Sequence, residues 1–83
     1  MKELIEYIVK NIVSNPEAVE ITENASDSSD ESSYNSVIYY IQADENDVGT
    51  VIGKGGKTIK SIRNIVKLKA IKEGKYVDIR IKD

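Results

Sequence analysis

Residues 51–62 read Val-Ile-Gly-Lys-Gly-Gly-Lys-Thr-Ile-Lys-Ser-Ile, and this stretch decides the fold. Three glycines fall within four residues, at Gly53, Gly55 and Gly56, between two apolar patterns that have helical spacing. Backbone without Cβ atoms makes a tight turn and lets another chain approach closely. The stretch therefore predicts two helices joined by a glycine-rich turn.

The same turn has the properties of a phosphate site. A helix that begins after it presents free N–H groups and the positive end of its dipole. Lys54 and Lys57 add side-chain charge at this point. Lys60, Arg63 and Lys67 follow at i, i+3 and i+7, within roughly 60° of arc on the helix. An apolar floor beside such a basic stripe fits single-stranded nucleic acid, with bases on the floor and phosphates along the rim.

Apolar periodicity on either side of this stretch predicts the other elements. They are a helix over 2–14 ended by Asn15-Pro16, a strand over 18–23, a central strand over 34–43, a short helix opened by Asp44 as N-cap, a long helix over 57–73 with Gly74 as its C′ residue, and a strand over 76–82. The order α-β-β-α-α-β predicts one α+β domain spanning 1–83, with a three-stranded sheet and helices packed on one face.

Residues 24–33 differ in composition from the rest of the chain. They contain five serines, three acidic residues and no large apolar side chain. A segment that can bury nothing is expected to be a flexible loop. Regulation by modification, or competition with RNA for the basic stripe, is an alternative role for it.

The net charge of −2 conceals an asymmetry along the chain. Residues 1–47 hold two basic and eleven acidic side chains, a net of −9, whereas residues 48–83 hold ten basic and three acidic ones, a net of +7. This division predicts an anionic partner for the C-terminal half.

Composition disfavours several other classes of protein. With 83 residues the chain can build only a small core. It has no cysteine and no histidine, so the commonest metal ligands and the commonest general base are missing, and we expect neither a metal, a cofactor nor enzyme activity. No apolar run approaches roughly 18 residues, and Glu3 and Glu6 argue against a signal peptide. We expect a cytoplasmic protein without a membrane span.

The sequence Gly55-Gly56-Lys57-Thr58 resembles the end of a P-loop. That motif requires a glycine where this chain has Val51, and it should follow a strand rather than a helix. Nucleotide hydrolysis and a small-molecule substrate are therefore not expected.

The pattern Val-Ile-Gly-x-x-Gly-x-x-Ile-x-x-Ile is the signature of the KH-domain family, and residues 51–62 match it throughout. The chain is similar over its length to KH domains of the type II arrangement, especially those of small bacterial proteins with a single KH domain. The acidic segment 24–33 is the chief departure from the family pattern. The resemblance implies RNA binding, with the RNA backbone gripped by Gly53, Lys54, Gly55 and Gly56, and with groove and core positions at Val48, Ile52, Ile59 and Ile62.

The resemblance also implies a cellular role. Similar proteins are RNA chaperones that pair with a larger KH partner and affect cell-wall homeostasis and cell shape. A single short site binds weakly, so we expect a homodimer or a heterodimer with such a partner. An adaptor that keeps the fold without binding RNA, and a protein that binds single-stranded DNA, are the alternatives. Tyr39 and Tyr40 should point to opposite sheet faces, one in the core and one at the surface, and stacking on bases is a further alternative for them.

Overall fold

The computed structural model describes residues 1–25 and 36–82 of the chain. Its helices and strands are α1 Lys2–Lys10, β1 Glu20–Ala25, β2 Ser36–Gln42, α2 Val48–Ile52, α3 Lys57–Lys72 and β3 Tyr76–Ile81. Single 3-10 turns lie at Pro16–Ala18 and Lys54–Gly56. The predicted α+β order α-β-β-α-α-β is confirmed.

The three strands form one mixed sheet in the order β1-β2-β3. β1 pairs with β2 antiparallel, with Ile21 opposite Ile41, and β2 pairs with β3 parallel, with Tyr39 opposite Ile79. The central position predicted for β2 is confirmed, and among the described residues no strand pairs with the other edge of β3, which we call its free edge. That edge lies beside α3, where Arg63 contacts it.

Alternation along the strands turns one sheet face toward the helices, and the core forms between them. The helices supply Ile5, Val9, Val51, Ile59, Ile62, Val66 and Ala70, and the sheet supplies Ile21, Tyr39, Ile41, Val77 and Ile79. All twelve side chains are buried and belong to one cluster. The core thus fixes α3 against the sheet and sets the position of the glycine turn that precedes it.

Gly74 is confirmed as the C′ residue of α3, although the helix ends at Lys72, one residue earlier than predicted. The N–H of Gly74 donates to the Ile71 carbonyl at 3.1 Å, and the N–H of Lys75 donates to the Ala70 carbonyl at 2.8 Å. This is the Schellman arrangement, which closes the last turn of the helix. Because β3 begins immediately afterwards, Tyr76 lies beside that last turn.

α1 is shorter than predicted, ending at Lys10 rather than at residue 14. The Asp47 carboxylate accepts the Ser14 N–H at 3.0 Å, the Ser14 hydroxyl at 2.7 Å and the Asn15 N–H at 3.0 Å. These donors form hydrogen bonds with Asp47 instead of with carbonyl groups of the preceding helical turn. The chain therefore leaves the helix before Pro16.

The prediction that Asp44 opens the short helix is wrong, because α2 begins at Val48 with Asp47 as its N-cap residue. Asp44 Oδ1 instead accepts the Asn46 N–H at 2.9 Å, which forms a turn ahead of the helix. The Asp47 side chain does not cap α2, since its carboxylate is turned toward Ser14.

β1 lies two residues further along than the predicted 18–23. The 3-10 turn Pro16–Ala18 precedes it, and the Val19 N–H donates to the Pro16 carbonyl at 3.2 Å. Proline at the start of such a turn has a suitable φ and needs no N–H partner.

The predicted loop 24–33 is wrong in its first two residues. Asn24 and Ala25 pair with Ile38 and Val37 in the sheet, because β2 is long enough to extend β1. The rest of that segment lies outside the described residues, so its flexibility and its suggested roles stay predictions.

The Asp47 contacts predict how the stability of the fold depends on pH. The Ser14 hydroxyl, then the Ser14 and Asn15 N–H groups, outweigh the effect of burial and lower the pKa of Asp47 below its usual value of 3.8. A carboxyl group with a lowered folded pKa contributes stability above its unfolded pKa, and this contribution is lost as the pH falls through the folded pKa.

Asp47→Asn is therefore expected to lower the urea midpoint most at neutral pH, and the difference from the native chain should shrink as the pH falls below the usual pKa of 3.8. Urea denaturation across this pH range checks the prediction, with Glu17→Gln on the exposed 3-10 turn as control. Equal midpoints for Asp47→Asn and the native chain at every pH would contradict it.

Candidate nucleic-acid interface

The glycine turn is confirmed as a single tight turn between α2 and α3. The N–H of Gly56 donates to the Gly53 carbonyl at 3.0 Å, and the intervening residues form the 3-10 turn Lys54–Gly56. φ is +65° at Gly55 and +78° at Gly56, in the left-handed region that glycine adopts most easily. This conformation folds the backbone back so that α3 starts directly from the turn.

Gly53 and Gly55 have different surroundings although both have positive φ. Gly53 has φ +78° and ψ 169°, a region populated essentially only by glycine. A Cβ atom there would overlap Thr58 Oγ1 and lie 2.7 Å from the Thr58 backbone nitrogen. A Cβ at Gly55 or Gly56 would have no atom of residues 1–25 or 36–82 within 4 Å. Gly53 thus allows α2 and α3 to meet, whereas Gly55 and Gly56 leave the outer side of the turn open.

Three exposed lysines flank this open side. Lys54 lies in the turn, and Lys57 and Lys60 lie in the first turn of α3. None of them forms an ion pair within residues 1–25 and 36–82. Gly56 is the N-cap of α3 and supplies no side-chain cap, so the positive end of the helix faces the same space. The arrangement is suited to attract an anion.

Arg63 has a contact that the sequence pattern did not indicate. Its half-buried side chain donates from Nε to the Ile79 carbonyl at 3.0 Å, on the free edge of β3. The Ile79 N–H donates to Asp78 Oδ1 at 2.9 Å, so side chains bind both groups that Ile79 presents at this edge. We call the Arg63–Ile79 contact the arginine bridge. This hydrogen bond links α3 to β3. It depends on how close the two elements lie, which no local sequence pattern indicates.

Among the described residues, one depression lies near the end of β3 and another lies near its start, and Ile79 of the arginine bridge lies between these two ends in sequence. The proximal depression has a volume of about 490 Å³ and lies between α2 and the end of β3, lined by Gln42, Ala43, Glu45, Val48 and Lys82. The distal pocket has a volume of about 160 Å³ and lies at the C-terminal end of α3, lined by Lys67, Ala70, Ile71, Lys75, Tyr76 and Val77. Of these lining residues, only Val48 and Lys67 were predicted from the sequence to belong to the nucleic-acid interface.

The four apolar residues predicted for the site fall into two groups. Val48 is half-buried in the proximal depression, and Ile52, beside the glycine turn, is 36% exposed. Ile59 and Ile62 are 7% and 2% exposed and belong to the core. Val48 and Ile52 therefore offer apolar surface to a ligand, whereas Ile59 and Ile62 hold α3 in place.

Tyr39 and Tyr40 lie on opposite faces of the sheet, as predicted. Tyr39 is 5% exposed in the core, where burial, and then the charges of Glu23 and Glu73, raise its pKa above the usual 10.0. Tyr40 is half-buried on the face that the helices do not cover. The buried ring of Tyr39 is not free to stack on a base, whereas base stacking by Tyr40 stays an alternative.

α3 also has a second apolar surface that the sequence analysis missed. Ile65, Leu68 and Ile71 are 49%, 66% and 72% exposed. Their i, i+3, i+6 spacing was the available signal, and it was hidden by the stronger core pattern of the same helix. In the part of the chain that the structure describes, no helix is both long and apolar enough to cross a membrane.

Comparison with known proteins gives a consistent family. A family model described as "KhpA/KhpB, KH domain" matches residues 2–81. The chain is 41% identical over 81 residues to RNA-binding protein KhpA of Clostridium perfringens, covering 98% of this chain and 99% of that protein. It is 37% identical over 81 residues to RNA-binding protein KhpA of Chlamydia trachomatis, covering 98% of this chain and 95% of that protein.

Among solved structures, the chain is similar to part of Era in complex with MgGDPNP and nucleotides 1506–1542 of 16S ribosomal RNA. The TM-score is 0.63 at 20% identity, and the match covers 98% of this chain and 29% of that one. A structure of Era from Aquifex aeolicus matches with a TM-score of 0.58 at 17% identity, over 98% of this chain and 30% of that one. These matches support the α+β fold described above.

Proposed function

Because this chain belongs to the KhpA/KhpB KH-domain family, we propose that it is a non-enzymatic protein that binds single-stranded RNA through the glycine turn. One observation carries the proposal. Gly55 and Gly56 leave open space on the outer side of the turn, and the exposed side chains of Lys54, Lys57 and Lys60 border that space.

The proposed mechanism has two parts. Backbone phosphates lie against the turn, held by the lysines and by the positive end of α3. Bases lie on the apolar surface of Ile52 and Val48 and in the proximal depression, which is open enough for unstacked nucleotides. A KH domain holds about four nucleotides in this way. The arginine bridge keeps the basic flank of α3 at a constant distance from β3.

The proposal extends to the cellular role that the family resemblance implies. It includes action as an RNA chaperone, a location in the cytoplasm, and an effect on cell shape and cell-wall homeostasis. The support for these points is the resemblance itself, and the relatives named above are called RNA-binding proteins.

Fluorescence anisotropy with a labelled single-stranded RNA tests the proposal directly. Saturable binding that weakens with salt, with unlabelled RNA competing better than unlabelled DNA of the same sequence, is the expected result. Equal competition by DNA would make the protein a general single-strand binder. If no RNA binds to the folded protein, the adaptor alternative replaces the proposal.

The proposal also includes pairing with a second copy or with a larger KH partner. A site for about four nucleotides binds weakly, and a second linked site raises the effective concentration. Ile65 and Leu68 expose apolar surface on the side of α3 opposite to its buried residues, and this surface is available for pairing.

Leu68→Glu is expected to weaken self-association by at least about tenfold, because pairing would bury an unpaired charge. Sedimentation of the native chain and the variant at roughly tens of micromolar checks this, with Lys69→Glu as the neighbouring exposed control. A native chain that stays strictly monomeric would contradict self-association and leave the larger KH partner as the remaining form of pairing.

A further inference from the structure

We propose that the distal pocket is a second nucleobase site, which rests on the proposed function and extends it. In this site Tyr76 stacks on a base of the same RNA strand that the glycine turn holds, and Lys67 and Lys75 bind the phosphates beside that base. The site lies beyond the arginine bridge, about 21 Å along α3 from Lys57 to Ile71 at 1.5 Å per residue.

The shape of the distal pocket suits a single flat base. Its volume of about 160 Å³ is well below the roughly 300–1,000 Å³ typical of sites for larger ligands. Ala70 and Val77 form an apolar floor, and both are buried. Tyr76 is 73% exposed and Ile71 is 72% exposed, so an aromatic and an aliphatic side chain project above that floor. Aromatic rings in this position are the usual stacking platforms of proteins that bind single strands.

The charge around the distal pocket matches an RNA strand. Residues 67–76 contain four lysines and one glutamate, a net of +3. Lys67 and Lys75 line the pocket itself, and both are exposed. This charge offsets the negative end of the α3 dipole, which would otherwise repel a phosphate.

The distal pocket is also continuous with the proposed RNA path. Lys60, Arg63 and Lys67 follow one flank of α3 from the glycine turn to the pocket, and the contact of Arg63 with Ile79 shows that this flank faces β3. A strand that enters at the turn therefore meets these three cationic side chains in succession, while the Asp78 carboxylate at the same edge of β3 is paired with Arg80 at 3.2 Å. The lysines at the rim favour this occupant over the apolar surface of a second protein chain, which Ile65 and Leu68 fit better.

The test is fluorescence anisotropy with degenerate single-stranded RNAs of four, six, eight and ten nucleotides. A ten-nucleotide strand offers about seven registers to a site for about four nucleotides, so an increase of about sevenfold over the tetranucleotide is statistical. After division by this factor, the native chain is expected to gain at least about fivefold in affinity between the shortest and the longest RNAs, the effect of stacking one base. We call this corrected increase the length-dependent gain. Tyr76→Ala should lose this gain and keep the affinity for the tetranucleotide. Tyr76→Phe should retain the gain, because the ring is preserved.

Tyr7→Ala is the matched control, since Tyr7 is a tyrosine 69% exposed on α1. For the longer RNAs, Lys75→Gln should make the slope of log affinity against log salt concentration less steep by about 0.7. The slope for the tetranucleotide should not change. A length-dependent gain that survives in Tyr76→Ala, or a native chain without any gain, would overturn the second site while tetranucleotide binding still supports the proposed function. Loss of self-association in Tyr76→Ala without a change in RNA binding would assign the pocket to a second chain. No binding of any RNA by the native chain would overturn both proposals.

Discussion

Lys54→Asp/Gly55→Asp is expected to lower the affinity for single-stranded RNA by at least about a hundredfold, the effect of a few kcal/mol. The two substitutions change the charge of the glycine turn by three units, two from Lys54 and one from Gly55. They place carboxylates where the proposal puts backbone phosphates, and like charges at such close range repel strongly.

The fold should survive these substitutions. Lys54 is exposed, and a side chain at Gly55 meets open space. Gly55 has φ +65°, and aspartate tolerates this left-handed region better than most residues, so the cost in stability is about 1–2 kcal/mol. Circular dichroism and a urea midpoint near that of the native chain would establish that any loss of binding is local.

Fluorescence anisotropy with a salt titration is the measurement. Three lysines at the site would give the native chain a slope of about −2 in log affinity against log salt, at about −0.7 for each phosphate neutralised. Lys2→Asp is the control, because it makes a comparable charge change at an exposed position in α1. If the double variant binds as well as the native chain, the KH signature is only a scaffold, and the adaptor alternative becomes the better explanation.

Gly53→Ala is expected to destabilise the fold by about 3–5 kcal/mol, the largest effect among single methyl additions in the turn. Two causes combine. The backbone of Gly53 has φ +78° and ψ 169°, which any other residue adopts only under strain. Its new Cβ would also collide with Thr58, both at the side chain and at the backbone nitrogen, 2.7 Å away. For an 83-residue domain this is a large fraction of the total stability.

Gly55→Ala is the matched control for Gly53→Ala, because it adds the same methyl group at positive φ in open space. It should cost only about 1–2 kcal/mol. Urea denaturation of both variants measures the difference. The double variant Gly53→Ala/Thr58→Ala should recover part of the loss, since it removes the overlap with Thr58 Oγ1 and leaves the backbone strain and the 2.7 Å contacts with the Cβ and backbone nitrogen of residue 58. Equal losses for the two glycine variants would contradict the role assigned to Thr58.

Much of this fold follows from patterns only a few residues long. The buried face of α3 has a period of 3.6 residues, and the strands alternate with a period of two, so the element order could be predicted before any contact was known. The glycine turn and the end of α3 at Gly74 were also predictable. The backbone needs positive φ in the glycine turn and at Gly74, and glycine adopts positive φ more easily than other residues.

The end of α1 and the start of α2 depend on hydrogen bonds between residues that are distant in sequence. α1 stops early because Asp47 binds Ser14, 33 residues away along the chain. α2 starts late because Asp44 accepts the Asn46 N–H in a turn ahead of the helix, and its other carboxylate oxygen accepts from Asn15 Nδ2, 29 residues away. A carboxylate near a helix start usually interacts with that helix, so the position of Asp47 in the sequence favours an interaction with α2. No local pattern reports that another segment offers three donors to Asp47.

The candidate site likewise has some features that the sequence determined and others that only the tertiary structure decided. The sequence by itself determined that a glycine turn with flanking lysines precedes a helix, and this is the chemistry of a phosphate site. Only the tertiary structure decided that Arg63 binds the free edge of β3 and that Tyr76 borders a pocket with α3. The physical reason is that periodicity and backbone conformation depend on neighbours along the chain, whereas hydrogen bonds and pockets between elements depend on how the core brings those elements together.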